Sequence, residues 1–346
     1  MVLVIADPQL TAEYSYNIDN PWKLKVIKYY SDIYMKRYFE SYMGRYDISG
    51  VVVLGDMFDG VTNYLYSKHL RTTWTEEEYQ SLEERWKWIF QTDVPFYNVS
   101  GNHDVGFNIP FGQDKLVQRY RKTFGALNHH FEIGGVEFVV IAATAVYKHW
   151  ANGDFYQETD NFINSYSSKE KTVPRILLTH IPFFRDIRTH CGEENGDFHV
   201  PHDTGYGYLT QFDEQKSSEI ISIIKPDFIL SGDIHHDCYF IRSGGIHDYV
   251  INTFSWMQGN PNPGAAILTI QHTSDKKPMI YLTPCRHHNQ ILLYIIYLLC
   301  FTLCESLWFY TFYFIHNFKA SSSITLAILL SLPLLAWYLF LQYLSY

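Results

Sequence analysis

The chain has 346 residues, of which 47% are hydrophobic and 18% charged, and its formal net charge is −9. This composition excludes a disordered chain, a collagen and a disulfide-dense miniprotein. No run of Lys and Arg that could hold a phosphate backbone occurs, so no nucleic-acid partner is expected. Glu305 and Lys319 are the only formally charged residues in 290–346. The sequence therefore predicts an acidic folded domain followed by an apolar tail.

Residues 1–285 are enough for one large catalytic domain with a single core. Short apolar runs recur in it, each followed by a polar turn, which is typical of buried strands. These runs are residues 2–6, 51–54, 96–99, 136–141, 175–179, 228–231, 249–252 and 265–270. Helical patterns lie between several of them, at 22–42, 75–90, 113–123 and 214–224. The early alternation of strand and helix, followed by successive strands, predicts a layered α/β domain.

Residues 183–212 show no clear periodicity and are rich in polar side chains. A loop of this length in a compact domain is usually functional, so it is predicted to form a lid over a pocket. Its His199 and His202 could contact phosphate, although solvent-exposed histidines are the simpler interpretation. Cys191 in this loop could pair with Cys238 in an oxidising compartment, but two free thiols are the preferred interpretation.

The apolar tail contains two stretches, residues 291–315 and 324–344, joined by a short polar link. Each can cross a hydrocarbon core, which needs about 20 apolar residues. A transmembrane helical hairpin is therefore predicted, since the alternative, a pair of buried core helices, would normally carry a polar face. Lys276, Lys277 and Arg286 before the hairpin outnumber Lys319 in its loop, which weakly favours a cytosolic domain. No signal peptide is expected, because Met1 runs directly into the first apolar run.

Polar residues of metal-ligand type follow five of the predicted strands, at the carboxyl ends where α/β sheets place their sites. A single aspartate after a strand is commonly a turn former, but five such motifs in order are not explained by turns. The motifs are Asp7-Pro8-Gln9, Gly55-Asp56-Met57-Phe58-Asp59, Gly101-Asn102-His103-Asp104, Thr179-His180 and Gly232-Asp233-Ile234-His235.

This series resembles the calcineurin-like metallophosphoesterases, whose pattern is D-x-H, G-D-x-x-D, G-N-H-[DE], a lone His and G-H-x-H. Gln9 and Asp233 stand where the first and last motifs have His. Both departures are similar to the membrane-anchored branch that removes ethanolamine phosphate from glycosylphosphatidylinositol anchor glycans. The resemblance implies a four-layer αββα sandwich, with two mixed β-sheets flanked by helices.

The resemblance also implies two divalent metal ions and assigns their ligands. Asp56 would bridge the ions, a first ion would be held by Asp7, Asp56 and His235 with Gln9 as an additional or weak ligand, and a second by Asn102, His180 and Asp233. His103 would protonate the departing alkoxide, Asp104 would orient its ring, and Asp59 would lie just outside the ligand set. Such a pair of ions activates water and clamps phosphoryl oxygens during in-line displacement.

The two departures replace imidazole nitrogen by oxygen, which favours Mn²⁺ over Zn²⁺. Asp7, Asp56 and Asp233 with a bridging hydroxide would make the two-metal site formally neutral, which favours monoanionic diesters over dianionic monoesters. The implied substrate is a lipid-linked glycan bearing ethanolamine phosphate on mannose, in the endoplasmic reticulum or Golgi membrane. The resemblance implies a luminal domain, in conflict with the charge rule. Alternatives are a phosphoesterase acting on another lipid or a nucleotide, and a metal-dead membrane scaffold.

Overall fold

The computed structural model describes residues 1–12, 15, 20–60, 74–107, 113–151, 153–192, 198–205, 208–272 and 278–315, and positions 322, 324, 325, 328 and 331. The chain divides into two compact units, Met1–His287 and His288–Tyr346. The predicted site therefore falls in the first unit and the predicted membrane hairpin in the second.

The first unit contains strands and helices in alternation. Its strands are β1 (Val2–Ile5), β2 (Gly50–Val53), β3 (Phe96–Asn98), β4 (His129–Ile133), β5 (Val136–Val140), β6 (Arg175–Leu178), β7 (Thr204–Gly205), β8 (Tyr208–Leu209), β9 (Phe228–Ser231), β10 (Cys238–Ile241), β11 (His247–Val250), β12 (Gly264–His272) and β13 (Pro278–Arg286). Its helices are α1 (Pro21–Arg45), α2 (Glu76–Ile89), α3 (Asn102–Val105), α4 (Gln113–Phe124), α5 (Gly153–Ser165) and α6 (Glu214–Ile224). The eight predicted strands and four predicted helices are all present.

Most of these strands form two mixed sheets. The first has the order β13-β12-β1-β2-β3, in which β1, β2 and β3 are parallel and β12 and β13 are antiparallel additions. The second has the order β10-β11-β9-β6-β5-β4, with β5, β6, β9 and β11 parallel and an antiparallel strand at each edge. The predicted pair of mixed sheets is confirmed.

The buried side chains show how the layers stack. Alternate residues of β1 point to opposite faces, so Val2 and Val4 pack with Phe138 and Leu178 of the second sheet. Leu3 and Ile5 face the other way, toward α1, α2 and α4. The outer face of the second sheet packs against α5 and α6. Helices thus cover both outer faces, as the predicted sandwich requires.

Local sequence signals explain where the helices begin. Thr75 caps α2 through a full capping box with Glu78, in which each side chain bonds the other residue's backbone N–H. At α1, the Asn20 side chain accepts a hydrogen bond from the Lys23 N–H, and Pro21 occupies the first helical position. These caps satisfy N–H groups that a helix leaves without internal partners.

Cys191 and Cys238 form a disulfide, which corrects the preference for free thiols. The bond is buried with Val200 and Val250, and it connects the predicted lid segment to the start of β10. The sequence could not decide this, because pairing depends on the lid folding back onto the second sheet. Residues 193–197 and 206–207 of the lid lie outside the described part of the chain.

Replacing Cys191 with serine is expected to lower the melting temperature of the full chain by several degrees. The bridge closes a loop with a sequence separation of 47, which corresponds to roughly 2–4 kcal/mol of stabilisation. Thermal unfolding in detergent without reductant measures the shift. Cys285→Ser is the matched control, because Cys285 is a free thiol; equal melting temperatures for the two variants would contradict the structural role of the bridge.

In the second unit, the described helix α7 (Gln290–Tyr310) is long and apolar enough to cross a membrane, with a mean hydropathy of 2.0. None of its residues is buried, and a π-helical turn, Thr311–Ile315, follows it. The Glu305 carboxylate within it accepts a hydrogen bond from the Ser331 hydroxyl. Most of the second predicted span, residues 324–344, lies outside the described residues, so the hairpin remains a prediction.

Candidate metal centre

The candidate ligands lie at the carboxyl ends of parallel strands from both sheets. Asp7 and Gln9 follow β1, Asp56 follows β2, Asn102 and His103 follow β3, His180 follows β6, and Asp233 and His235 follow β9. Ligand atoms of Asp7, Asp56 and His180 lie within 4.8 Å of one another, and all three residues are buried. Residues far apart in sequence thus meet at one point, since the Asp233 backbone N–H donates to the Asp7 carboxylate across a separation of 226 residues.

His180 shows most directly that this point suits a cation. Its Nδ1 lies 2.7 Å from the Leu54 carbonyl oxygen, which can only accept, so Nδ1 carries the proton. Nε2 then faces the Asn102 Oδ1 at 2.9 Å, and Asp56 Oδ2 and Asp233 Oδ1 at 3.4 Å each. With the proton on Nδ1, the neutral form of the ring would add a fourth acceptor to three oxygens. A cation at their meeting point would satisfy all four, and the Leu54 bond holds the ring in the ligating tautomer.

Asp7 lies next to Asp233 and His235 of the last motif. The Asp7 carboxylate accepts a hydrogen bond from the Asp233 backbone N–H at 3.1 Å, and its Oδ1 lies 3.9 Å from His235 Nε2. The Gln9 side-chain NH₂ donates to Asp56 Oδ2 at 2.8 Å. Gln9 therefore orients the central carboxylate, and its own amide oxygen is the atom that remains for a metal.

The electrostatics of these groups fit divalent cations. Burial raises the pKa of Asp7 well above its usual range, and the nearby charges of Asp56 and Asp233 add to that effect. Burial also opposes a charge on His180, but Asp56, Asp233 and Asp7 outweigh it and raise that pKa. Burial lowers the pKa of His235 to about 4, which keeps this ring neutral as a metal ligand must be. Negative charge buried here without a metal would need protons instead.

The backbone of five candidate ligands adopts the left-handed conformation, which non-glycine residues rarely use. The φ angles are 49° at Asp7, 37° at Gln9, 54° at Asp56, 68° at Asp233 and 62° at His235. Each such residue costs on the order of 1 kcal/mol. Strained backbone of this kind concentrates at functional sites, so the dihedral angles support the assignment independently of side-chain chemistry.

His103 occupies the second position of α3, beside the central carboxylate. Its backbone N–H donates to Asp56 Oδ1 at 2.9 Å, and its ring Nε2 lies 4.0 Å from Asp56 Oδ2. Nδ1 accepts a hydrogen bond from the Gly60 backbone N–H at 3.3 Å and lies 3.5 Å from Asp59 Oδ1. Burial opposes protonation of the ring, but the charges of Asp56, Asp59 and Asp104 outweigh it and raise the pKa of His103. In the metal-free protein these charges favour the protonated ring, which is the form that a general acid needs.

Asp104 has a different set of contacts from the one predicted. Its carboxylate accepts hydrogen bonds from the backbone N–H groups of Gly101, Asp56 and Met57 at 2.8–2.9 Å. It thus fixes the turn that carries Asp56, while the carboxylate directly beside the His103 ring belongs to Asp59. Burial raises the pKa of Asp104 to about 7, with a further contribution from Asp56.

Gly101 is required by the close approach of two motifs. A Cβ at this position would lie 2.0 Å from Asp56 Oδ1. Gly101→Ala is therefore expected to displace the Asp56 carboxylate and weaken metal binding at least about tenfold, which titration of the purified chain with Mn²⁺ measures. Gly153→Ala is a control with open space around the new methyl group; equal affinities in both variants would contradict the packing argument.

The predicted lid contributes exposed histidines rather than ligands in the described structure. His199 and His202 are exposed, and the His202 ring packs edge-on against Phe184. Parts of the same segment are buried, however: Phe183 packs in the core beneath α6, and Arg185 pairs with the buried Asp248 at 2.6 Å. The loop is thus anchored to the second sheet at its first residues and again by the disulfide.

Two mixed sheets that direct buried carboxylates, an asparagine and histidines to one shared edge are the architecture of a metal-dependent phosphoesterase. The chain belongs to the calcineurin-like phosphoesterase family, whose model matches residues 1–237. This confirms the family that the sequence motifs resemble.

Relatives with curated names match over much of the same domain. Cell division control protein 1 of Saccharomyces cerevisiae is 25% identical over 288 residues, which covers 79% of this chain and 55% of that protein. Metallophosphoesterase 1 of Mus musculus is 25% identical over 259 residues, which covers 66% of this chain and 60% of that protein. The chain thus spans little more than half the length of these relatives. Among solved structures, a dimetal phosphatase from Danio rerio aligns over 83% of this chain and 98% of that chain, at 10% identity and a TM-score of 0.44.

Proposed function

We propose that this chain is a two-metal phosphodiesterase that removes ethanolamine phosphate from a mannose of a glycosylphosphatidylinositol anchor glycan. The observation that carries the proposal is the oxygen-rich ligand set around Asp56, in which Gln9 and Asp233 replace the two histidines of the family pattern. The same replacements characterise the membrane-anchored branch that the sequence resembles. Relatives named Metallophosphoesterase 1 support the same branch.

The charge of the site favours a diester substrate. Asp7, Asp56 and Asp233 bring three negative charges to two divalent ions, so little positive charge remains to attract a dianion. A monoanionic diester loses less electrostatic attraction at such a site than a dianionic monoester does. The predominance of oxygen ligands also favours Mn²⁺, which prefers carboxylate and amide oxygen more than Zn²⁺ does.

The chain's own residues have distinct roles in this reaction. Asp7, Gln9, Asp56 and His235 would hold one metal ion, and Asn102, His180, Asp233 and Asp56 the other. When bound, the ions would supply an activated water and neutralise the phosphoryl oxygens. The Gly60 backbone N–H and the Asp59 carboxylate flank Nδ1 of His103, whose ring proton passes to the mannose oxygen as the bond from phosphorus to that oxygen breaks. Asp104 keeps the Asp56 turn in place.

A diester and its matched monoester test the substrate class. The full chain, purified in detergent with Mn²⁺, is expected to release phosphoethanolamine from an ethanolamine phosphate diester of mannose. Mannose phosphate is expected to be hydrolysed at least about tenfold more slowly. Faster turnover of the monoester would overturn the diesterase proposal and favour a phosphatase acting on a lipid or a nucleotide.

The disulfide supports a luminal position for the catalytic domain. Buried disulfides persist in oxidising compartments and are rare in the cytosol. This argument is stronger than the weak charge bias around the apolar tail, which favours the opposite orientation. We therefore expect the domain to resist added protease in sealed microsomes and to be digested once detergent opens them. Digestion in intact microsomes would overturn the luminal proposal.

A further inference from the structure

Helix α1 carries an exposed apolar and basic surface on its first turns. Trp22 is 77% exposed, the largest fraction for any large apolar side chain among the described residues, and Val26 one turn later is 48% exposed. We infer that this surface, residues 21–30, lies on the headgroup layer of the bilayer that α7 enters. The inference rests on the predicted membrane crossing of α7. It goes beyond the proposed function, because it does not depend on which ester the metal centre cleaves.

The composition of this surface is typical of a helix that lies in a membrane interface. Residues 21–30 contain three lysines and no acidic residue, and the Lys25 Nζ lies 5.9 Å from the centre of the Trp22 ring. Helix α1 as a whole has six Lys and Arg residues and two acidic ones, of which Asp32 is buried against Arg85, although the net charge of the chain is −9. Lysines match anionic headgroups in charge, and tryptophan is the side chain that membrane interfaces favour.

The end of β13 lies at the same edge of the first sheet as the metal centre. β13 is antiparallel to β12, which is antiparallel to β1, so the start of β12 pairs with the end of β13. The Gly264 N–H at the start of β12 donates to the Thr253 carbonyl, and the Thr253 hydroxyl donates to the Asp7 carbonyl at 2.9 Å. His287 follows β13 directly, and Gln290 at the start of α7 is three residues further on, a span of at most about 11 Å. The chain therefore leaves the first unit at the metal-centre edge.

Helix α1 extends past this edge. It connects the parallel strands β1 and β2, so it runs antiparallel to them and begins on the metal-centre side. The hydroxyls of Tyr34 and Tyr42 bond the two ring nitrogens of His287 at 2.8 and 3.1 Å, which places this part of α1 beside the end of β13. Trp22 precedes Tyr34 on the same i, i+4 row of the helix, about 18 Å away along its axis. The exposed surface therefore reaches beyond His287 on the side where the chain continues into α7.

The depth of a label on α1 in lipid vesicles tests this inference. Val26→Cys and Glu170→Cys are made separately in the full chain, in which Cys285→Ser, Cys300→Ser and Cys304→Ser remove the free thiols. Each variant is labelled with an environment-sensitive fluorophore and reconstituted into vesicles of phosphatidylcholine and phosphatidylglycerol. A spin-labelled lipid is expected to quench the fluorophore at position 26 at least about threefold more than at position 170. Aqueous iodide is expected to quench it less.

Glu170 is a control at the opposite edge of the second sheet. It is exposed, and the neighbouring Lys169 pairs with Glu137 at the start of β5. Adding Lys23→Glu and Lys25→Glu is expected to reduce lipid quenching at position 26, because it reverses the charge presented to phosphatidylglycerol. Equal quenching at positions 26 and 170, or unchanged quenching with the two charge reversals, would overturn the inference. Release of the chain from vesicles by alkaline carbonate would overturn the membrane crossing and this inference with it. None of these measurements uses catalysis, so failure of the proposed diesterase reaction would leave the inference intact.

Discussion

Replacing Asp56 with asparagine is expected to remove bound metal and to reduce diester hydrolysis by about 1,000-fold or more. Asp56 is the central carboxylate, with one oxygen near His180 and the other bonded to the His103 backbone. Asparagine has nearly the same shape but neither the charge nor two equivalent oxygens. Metal analysis of the purified chain and its rate with saturating Mn²⁺ measure the two effects.

Asp7→Asn provides a companion variant that distinguishes metal loss from misfolding. The raised pKa of Asp7 shows that its ionised form is unfavourable in the metal-free protein, so neutralising it should maintain or raise the metal-free melting temperature. Added Mn²⁺ should then stabilise the wild type far more than the variant. Wild-type metal content in both Asp56→Asn and Asp7→Asn would contradict the ligand assignment.

Replacing His103 with glutamine is expected to lower kcat by about 100-fold to 10,000-fold on an alkyl diester while metal content stays at the wild-type level. A sugar alkoxide is a poor leaving group and needs a proton as it departs. A p-nitrophenolate needs none, so the loss on a p-nitrophenyl diester should be much smaller. The comparison of the two losses measures the general-acid role directly.

His130→Gln is the matched control, because His130 is an exposed histidine on β4. It should leave both rates unchanged. Equal losses on the two esters in His103→Gln would mean that the ring positions substrate instead of delivering a proton. If the Asp59 carboxylate supports the His103 ring, Asp59→Asn should also lower the rate more on the alkyl diester than on the p-nitrophenyl diester, by a smaller factor than His103→Gln does.

The sequence predicted the interior strands well because they are continuous β-branched apolar runs. It missed β4, β10 and β13, which lie at sheet edges and contain mostly half-buried and exposed residues, so they resemble loops by composition. It also missed α5, whose buried face consists of only Phe155, Thr159 and Ile163 and therefore has a weak apolar periodicity. An edge strand forms because it pairs with a neighbouring strand, and which strands are neighbours is set by the tertiary fold and is not visible in the local sequence.

The candidate ligands could be predicted because their residue types and their order along the chain are visible in the sequence. The contacts that position these side chains could not be predicted. Asp104 and Asp59 are both acidic residues near His103, and only the fold shows that one binds backbone N–H groups while the other faces the ring. The Leu54 carbonyl that orients His180 is a backbone atom, which leaves no sequence pattern.

The left-handed backbone at five candidate ligands affects the stability of the metal-free protein in the cell. These residues are Asp7, Gln9, Asp56, Asp233 and His235. Together these strained residues lower the free energy of unfolding by several kcal/mol, in a fold whose net stability is typically only about 5–15 kcal/mol. Cations that bind only the folded form raise the free energy of unfolding again and so offset this loss. Newly made chains should therefore depend on metal supply for survival as well as for catalysis. Depletion of the divalent metal, Mn²⁺ under the proposed function, is then expected to lower the abundance of this protein as well as its activity.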